Sequence, residues 1–299
     1  MGRAKRIPYG VSDFIDIIER NQYYVDKTMY IPKLEDEPDA LFFIRPRRFG
    51  KSLFISMLRA YYDIKRKDKF DKLFGNLWIG SHPTENQGKY QVLFLDFSKI
   101  GGSIDQLEEN FNAYCNECID SFIETYQEYY PERVVENVLN AKTAARKLNA
   151  IGIAAEKKNL PLYLIVDEYD NFTNVVLNEQ GEEVYTALTH ASGFYREIFK
   201  VFKGMFSKIF MTGVSPVTLD DLTSGFNIGW HISTKPAFNQ MLGFSTEDVR
   251  DLFTYYKENG EIRPDSDVEA IIEEMKPWYD NYCFSESALK TQSKVFNSD

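Results

Sequence analysis

The octet Arg45-Pro46-Arg47-Arg48-Phe49-Gly50-Lys51-Ser52 follows the apolar run Leu41-Phe42-Phe43-Ile44 and leads into Leu53-Phe54-Ile55-Ser56-Met57-Leu58. A phosphate cradle needs this passage from strand through tight turn to helix. Backbone N–H groups converge at the helix N-terminus, a lysine reaches the β- and γ-phosphates, and a hydroxyl ligates Mg²⁺. Gly50, Lys51 and Ser52 supply the end of the pattern G-x-x-x-x-G-K-[ST], with Leu53 beginning the helix. Arg45 occupies the first glycine position, and Pro46 after it biases Arg45 toward an extended backbone. The loop is therefore expected to enter at its own angle.

A Gly-Lys-Ser triplet alone is a common polar turn, so its meaning depends on what else the chain offers. A second apolar run, Leu162-Tyr163-Leu164-Ile165-Val166, ends in Asp167-Glu168. At a strand end beside a phosphate cradle, such an Asp helps hold Mg²⁺ and the adjacent Glu can polarise the attacking water. The alternative is a pair of acids opening a solvated loop. The two motifs in this order favour the nucleotide reading, in which Ser52 and Asp167 serve Mg²⁺ and Lys51 and Glu168 serve the chemistry. Thr212, a hydroxyl ending the run Lys208-Ile209-Phe210-Met211, is a candidate sensor of the γ-phosphate, with a capped strand end as the other reading. Arg47 and Arg48 are expected to add charge stabilisation around the polyphosphate. Asp170 has two readings, orienting Arg48 or capping the next turn.

Composition narrows the classes. With 299 residues, 43% hydrophobic and 15% aromatic, the chain can build real cores and room remains for a smaller second unit. A net charge of −10 and a pI near 5.0 oppose autonomous binding to nucleic acid, which needs a basic surface. The basic group Arg45, Arg47, Arg48 and Lys51 suits a triphosphate instead. No run approaches the length of a membrane-spanning helix, and Met1 to Pro8 lacks the apolar region of a signal peptide, so a cytoplasmic location without membrane attachment is expected. Cys115 and Cys118 form a C-x-x-C, yet they share a helical face with Ile104, Leu107, Phe111, Ile119 and Phe122. That periodicity favours core thiols over a zinc site.

Four apolar runs, 41–44, 92–96, 162–167 and 208–213, are separated by helical patterns, which is the layout of a mainly parallel sheet covered by helices. Ligands bind beyond the carboxyl ends of such strands, where Gly50 to Ser52, Asp96, Asp167, Glu168 and Thr212 would gather. One strand run falls between the cradle run and the acid run in sequence, as expected for P-loop proteins whose base is the Glu after the Asp. Helical patterns are expected from a capping box at Ser103 and Gln106 to about Pro131, from Val134 to Lys158, and from Glu183 to Phe202. Residues 1–38 read as a helical preamble and 39–224 as the P-loop core. Residues 225–299 read as a hairpin or extended arm followed by a small helical subdomain opened by Ser245 and Asp248.

Gly10-Val11-Ser12-Asp13-Phe14, Tyr24-Val25-Asp26-Lys27-Thr28, the 45–52 loop, Asp167-Glu168-Tyr169-Asp170, Thr212-Gly213-Val214-Ser215-Pro216 and Trp278-Tyr279-Asp280-Asn281-Tyr282 together resemble the AAA-ATPase-like family of bacterial and archaeal proteins. Asn281 stands where that family has glycine. The resemblance implies a P-loop ATPase core of the additional strand, catalytic glutamate type, with ATP and Mg²⁺ as ligands. It further implies a PD-(D/E)xK nuclease-like domain after this one in full-length members. No Asp and Glu-x-Lys arrangement follows Asp280, so that domain is expected to lie outside this chain. Homo-oligomerisation is compatible with this reading. ATP hydrolysis driving a conformational cycle is the leading expectation, and a nucleotide-dependent interaction switch with little turnover is the alternative.

Overall fold

The computed structural model describes residues 4–101, 106–171, 194–215, 229–279, 282–291 and 293–297. Its centre is a five-stranded, wholly parallel sheet in the order β2-β3-β4-β1-β5. The strands are β1 (Ala40–Ile44), β2 (Gln91–Asp96), β3 (Leu162–Asp167), β4 (Lys208–Gly213) and β5 (Trp230–His231). β3 is buried along its whole length because both of its faces are covered, which explains its continuous apolar run. β2 alternates between buried and half-buried positions because it forms a sheet edge. The strand run that separates cradle from acid in sequence thus becomes the outer strand. The additional strand between them in space is β4.

Alternation along β1 feeds the two sides of the sheet. Ala40 and Phe42 join one apolar cluster, while Leu41 and Phe43 join the other. The first cluster takes α5 (Leu107–Thr125), α6 (Glu132–Asn140), α7 (Ala144–Lys157) and α8 (Phe194–Met205). The second takes α1 (Phe14–Glu19), α2 (Tyr30–Glu35), α3 (Lys51–Tyr62) and α4 (Phe70–Phe74). Asp13 caps α1 by accepting from Ile15 N and Asp16 N. The helix expected from Val134 to Lys158 is instead two helices. Thr143 breaks the run with an extended backbone and caps α7 through Arg146 N. The Ser103 part of the expected α5 cap lies outside the described residues, as do residues 183–193 of the helix leading into β4.

Of the expected hairpin or arm, residues 225–228 lie outside the described residues, and Trp230–His231 add a short edge strand parallel to β1. Beyond it, α9 (Thr246–Glu258) starts on a complete capping box between Ser245 and Asp248 and packs with α10 (Val268–Tyr279) around Val249, Ile272 and Phe296. A short helix, α11 (Glu286–Thr291), follows. Among the described residues no helix is long and apolar enough to cross a membrane. Cys115 is fully buried in the first cluster and Cys118 packs against it, and burial raises both thiol pKa values.

Candidate nucleotide site

Residues 45–50 leave the carboxyl end of β1 and close on the N-terminus of α3. Gly50, the N-cap, has φ of +81° with open space around it, so backbone conformation alone accounts for glycine here. Arg48 also takes a left-handed backbone, with φ of +67°. Lys51 is buried, and its Nζ donates to the carbonyls of Arg45 and Pro46, each at 3.2 Å, while facing Glu168 Oε1 at 3.5 Å. Ser52 Oγ donates to Asp167 Oδ2 at 2.7 Å. Two motifs more than a hundred residues apart in sequence therefore meet through both of their functional pairs.

The electrostatics of the acid strand end follow from burial. Asp167 is 3% exposed, and desolvation lifts its carboxyl to about 6, with Glu168 and Asp96 adding to the rise while Ser52 and Lys51 oppose it. Asp96 sits opposite Asp167 in the β2–β3 register. Glu168 has φ of +50°, and its N–H donates to Asp167 Oδ1 at 3.0 Å, which holds the Asp167 carboxylate against the Glu168 backbone. Thr212, next to last in β4, is fully buried and is not among the residues lining the cleft described below; its Oγ1 has no hydrogen-bond partner and its carbonyl accepts from Tyr169 N at 3.1 Å. Asp170 caps a turn, though the turn is the one after β4. Its carboxylate accepts from Val214 N at 3.1 Å and Ser215 N at 2.5 Å, and a Cβ at Gly213 would meet Asp170 Oδ1 at 2.3 Å.

Arg45 departs from the sequence expectation. The Arg45 side chain leaves the phosphate face and is 1% exposed. Its guanidinium donates to the carbonyls of Ile44, Ser233 and Phe238 at 2.8 to 2.9 Å and lies between the rings of Phe43 and Phe284. Burial lowers its pKa to about 9. Phe49 lines the cleft while its ring packs against Tyr282 and Phe284, with centroids 4.8 and 5.5 Å away, and its carbonyl accepts from Gly243 N. Both residues anchor the loop to the C-terminal part of the chain. Their partners at 233, 238 and 284 had no signal in the sequence pattern.

A cleft of about 900 Å³ opens over the loop. Arg47, Arg48, Gly50, Lys51, Ser52 and Leu53 line one part, with Asp96, Asp167 and Glu168 beside them. Arg47, Arg48 and Ser52 are exposed to it. The other walls are Ile7 to Ser12 with Tyr23 to Val25, and Met241 to Phe244 with Leu252; the sequence reading used Gly10 to Ser12 and Tyr24 to Val25 for the family resemblance without placing them at the site.

The Predicted AAA-ATPase family model matches residues 8–223, which takes in the loop, the acid strand, β4 and the N-terminal wall of the cleft. This chain belongs to that family. Membership supports nucleotide binding and hydrolysis by a P-loop ATPase. A curated relative, an uncharacterized protein in the vnfD 5′ region of Azotobacter chroococcum mcd 1, is 25% identical over 303 residues, covering 95% of this chain and 50% of its own length. The chain thus spans about half of that relative. A solved structure, the Aeropyrum pernix ORC2 protein in ADPNP and ADP complexes, aligns with 92% of this chain and 58% of its own at a TM-score of 0.37 and 12% identity.

Proposed function

We propose that this chain binds Mg-ATP in the cleft and hydrolyses it. Lys51 contacts the β- and γ-phosphates, Ser52 ligates Mg²⁺, Asp167 holds Mg²⁺ through water, and Glu168 is the base toward the hydrolytic water. The observation that carries this reading is the Ser52–Asp167 hydrogen bond at 2.7 Å beside the Lys51–Glu168 pair at 3.5 Å, all at the carboxyl edge of the sheet. The donor set suits a hard cation, since it consists of a hydroxyl and carboxylates without nitrogen or sulfur. Among the described residues no cluster of three or more His, Cys, Asp or Glu is placed to hold a metal alone. Such a site would complete its coordination with water and substrate phosphate, as Mg²⁺ sites do. Bound Mg²⁺ would neutralise charge on the phosphates. Thr212, with its orphaned hydroxyl, is the proposed γ-phosphate sensor, and Arg47 and Arg48 supply positive charge at the rim.

Removing the Lys51 ammonium tests binding. Lys51→Ala should weaken ATP by roughly ten- to a hundred-fold, the size of one charge-assisted contact, in titration calorimetry. Unchanged affinity would take Lys51 out of the site. The Lys51–Glu168 pair supports a second reading, a nucleotide-dependent switch with little turnover, because a base engaged by the lysine is poorly placed to take a proton from water. Steady-state phosphate release from the chain, alone and in its longer natural context, separates the two. In that context the family resemblance suggests a nuclease-like domain following this one, which the ATPase cycle would gate in the cytoplasm.

A further inference from the structure

Glu168, the proposed base, holds a left-handed backbone with φ of +50°. A residue with a Cβ keeps that conformation only where its surroundings over-determine it. On one side stands the β3–β4 ladder, whose last pair is Val166 and Met211. On the other side the chain is caught again at once, by the end of β4 and the turn after it. Tyr169 N donates to Thr212 O at 3.1 Å and Tyr169 Oη to Ser215 O at 2.8 Å, while the Asp170 carboxylate accepts from Val214 N and Ser215 N. Glu168 spans the gap between these two fixed points, lines the cleft and faces Lys51. We infer that Asp170 is a positioning residue of the ATPase site, acting through the Glu168 backbone to aim that carboxylate into the cleft. The inference rests on the proposed role of Glu168.

Three features set Asp170 apart from an ordinary turn cap. It is 0% exposed and does not line the cleft, so it can act on the chemistry only through its neighbours. Both of its oxygens are engaged, with Val214 N at 3.2 Å from Oδ1 and 3.1 Å from Oδ2, and Ser215 N at 2.5 Å from Oδ2. Only a carboxylate presents acceptors on both oxygens, whereas an amide would turn a donor toward one of these N–H groups. Finally, the peptide group between Gly213 and Val214 serves two motifs. Its N–H goes to Asp170, and its carbonyl accepts from Arg45 N at 3.2 Å where the phosphate loop begins. One peptide plane thereby relates the base to the loop. Gly213 makes room for the contact, since a Cβ there would stand 2.3 Å from Asp170 Oδ1 and 2.7 Å from Tyr169 Cε1. The buried Tyr169 ring completes the bracing edge-on to Phe42 of β1, with centroids 5.7 Å apart.

Asp170→Asn keeps the size of the side chain and removes one acceptor. A misaimed base slows the bound complex and leaves ground-state binding alone. The variant should therefore lower kcat for Mg-ATP about ten-fold while its Kd in calorimetry changes by no more than about two-fold. In a Glu168→Gln background there is no base to aim, and the same substitution should alter the residual rate by no more than about two-fold. A merely structural role would cost the same factor in both backgrounds. Tyr169→Phe deletes only the bond to Ser215 and should repeat the pattern with a loss of about three-fold, so the comparison survives if Asp170→Asn does not fold. A crystal structure of Asp170→Asn without nucleotide supplies a readout free of turnover. Residue 168 should leave the left-handed region, and its carboxylate should no longer face Lys51. An unmoved Glu168, or equal losses in both backgrounds, overturns the positioning role and leaves Glu168 as the base. A Glu168→Gln variant as fast as wild type overturns the base itself, and the positioning role with it.

Discussion

Asp167→Asn should make the nucleotide-free protein more resistant to unfolding at pH 7.5, and the advantage should disappear near pH 4. In the folded chain burial lifts the Asp167 carboxyl from 3.8 to about 6. Between those values the native state holds a proton that the unfolded chain has released, so stability falls as pH rises through that window. A rise of about two units corresponds to about 3 kcal/mol, fully lost above roughly pH 7. Asparagine carries no charge to desolvate. Its amide must still receive the Ser52 hydroxyl, and an imperfect bond there costs about 1 kcal/mol at every pH. The net gain at pH 7.5 is then about 2 kcal/mol.

Urea unfolding of wild type and variant in EDTA at pH 4.0 and 7.5 measures this directly. The difference between the two proteins cancels every titrating group that they share. A stability difference that is equal at both pH values, within about 0.5 kcal/mol, would refute a buried, strained carboxylate. Mg-ATP should act in the opposite direction, adding about 2.7 kcal/mol to wild type at a hundred times its Kd and much less to the variant.

Glu168→Gln preserves shape and should keep ATP affinity within a few-fold while phosphate release falls by about 10²-fold or more, the size of a general-base effect. Equal turnover in a single-turnover assay would remove Glu168 as the base and leave Asp96 as the next carboxylate in the cleft. Arg45→Met should lower stability by roughly 3 kcal/mol in chemical denaturation, because the Ser233 and Phe238 carbonyls lose their donor inside the protein. A change below 0.5 kcal/mol would show that those carbonyls find other partners. Cys115 should react with a thiol reagent only as fast as the protein opens, since burial both hides it and raises its pKa. Modification within the mixing time in native buffer would contradict its place in the core.

The parts of the site written in contiguous residues were legible from sequence. Gly50, Lys51 and Ser52 had to be at a strand-to-helix turn, and Asp167 and Glu168 at the end of a fully buried strand, because each segment carries its own pattern. The order of strands was only half legible. Apolar runs declare that strands exist, while their neighbours depend on helices that cross over the sheet. The strand preceding the acid run in sequence therefore went to the edge, and β4 went between. The walls of the cleft were illegible for a similar reason. Ile7 to Val11 and Met241 to Leu252 come from opposite ends of the chain, and Lys27–Asp248, Lys27–Gln240 and the tyrosines around Lys5 hold them together. Arg45 was misread because a basic residue in a basic loop suggests an anion, and nothing local announced the three carbonyls and two rings that receive it.

That misreading explains how the loop does without its first glycine. Glycine is needed where the backbone turns left-handed or where a ligand must approach without a Cβ in the way. Here left-handed turns fall at Arg48 and Gly50, and position 45, just past the end of β1, stays bound to the neighbouring strand, with Arg45 N donating to Gly213 O at 3.2 Å. A side chain at position 45 is thus directed by the strand, away from the cleft and into the layer beneath Ser233 and Phe284. There its bonds tie the loop to segments that flank α9 and α11. The carbonyl of the same residue receives Lys51, so movement of the lysine toward a phosphate releases a bond at one end of Arg45 while the other end stays clamped. The loop's angle and its anchorage to the C-terminal segments therefore share one residue, and a glycine at 45 would separate them.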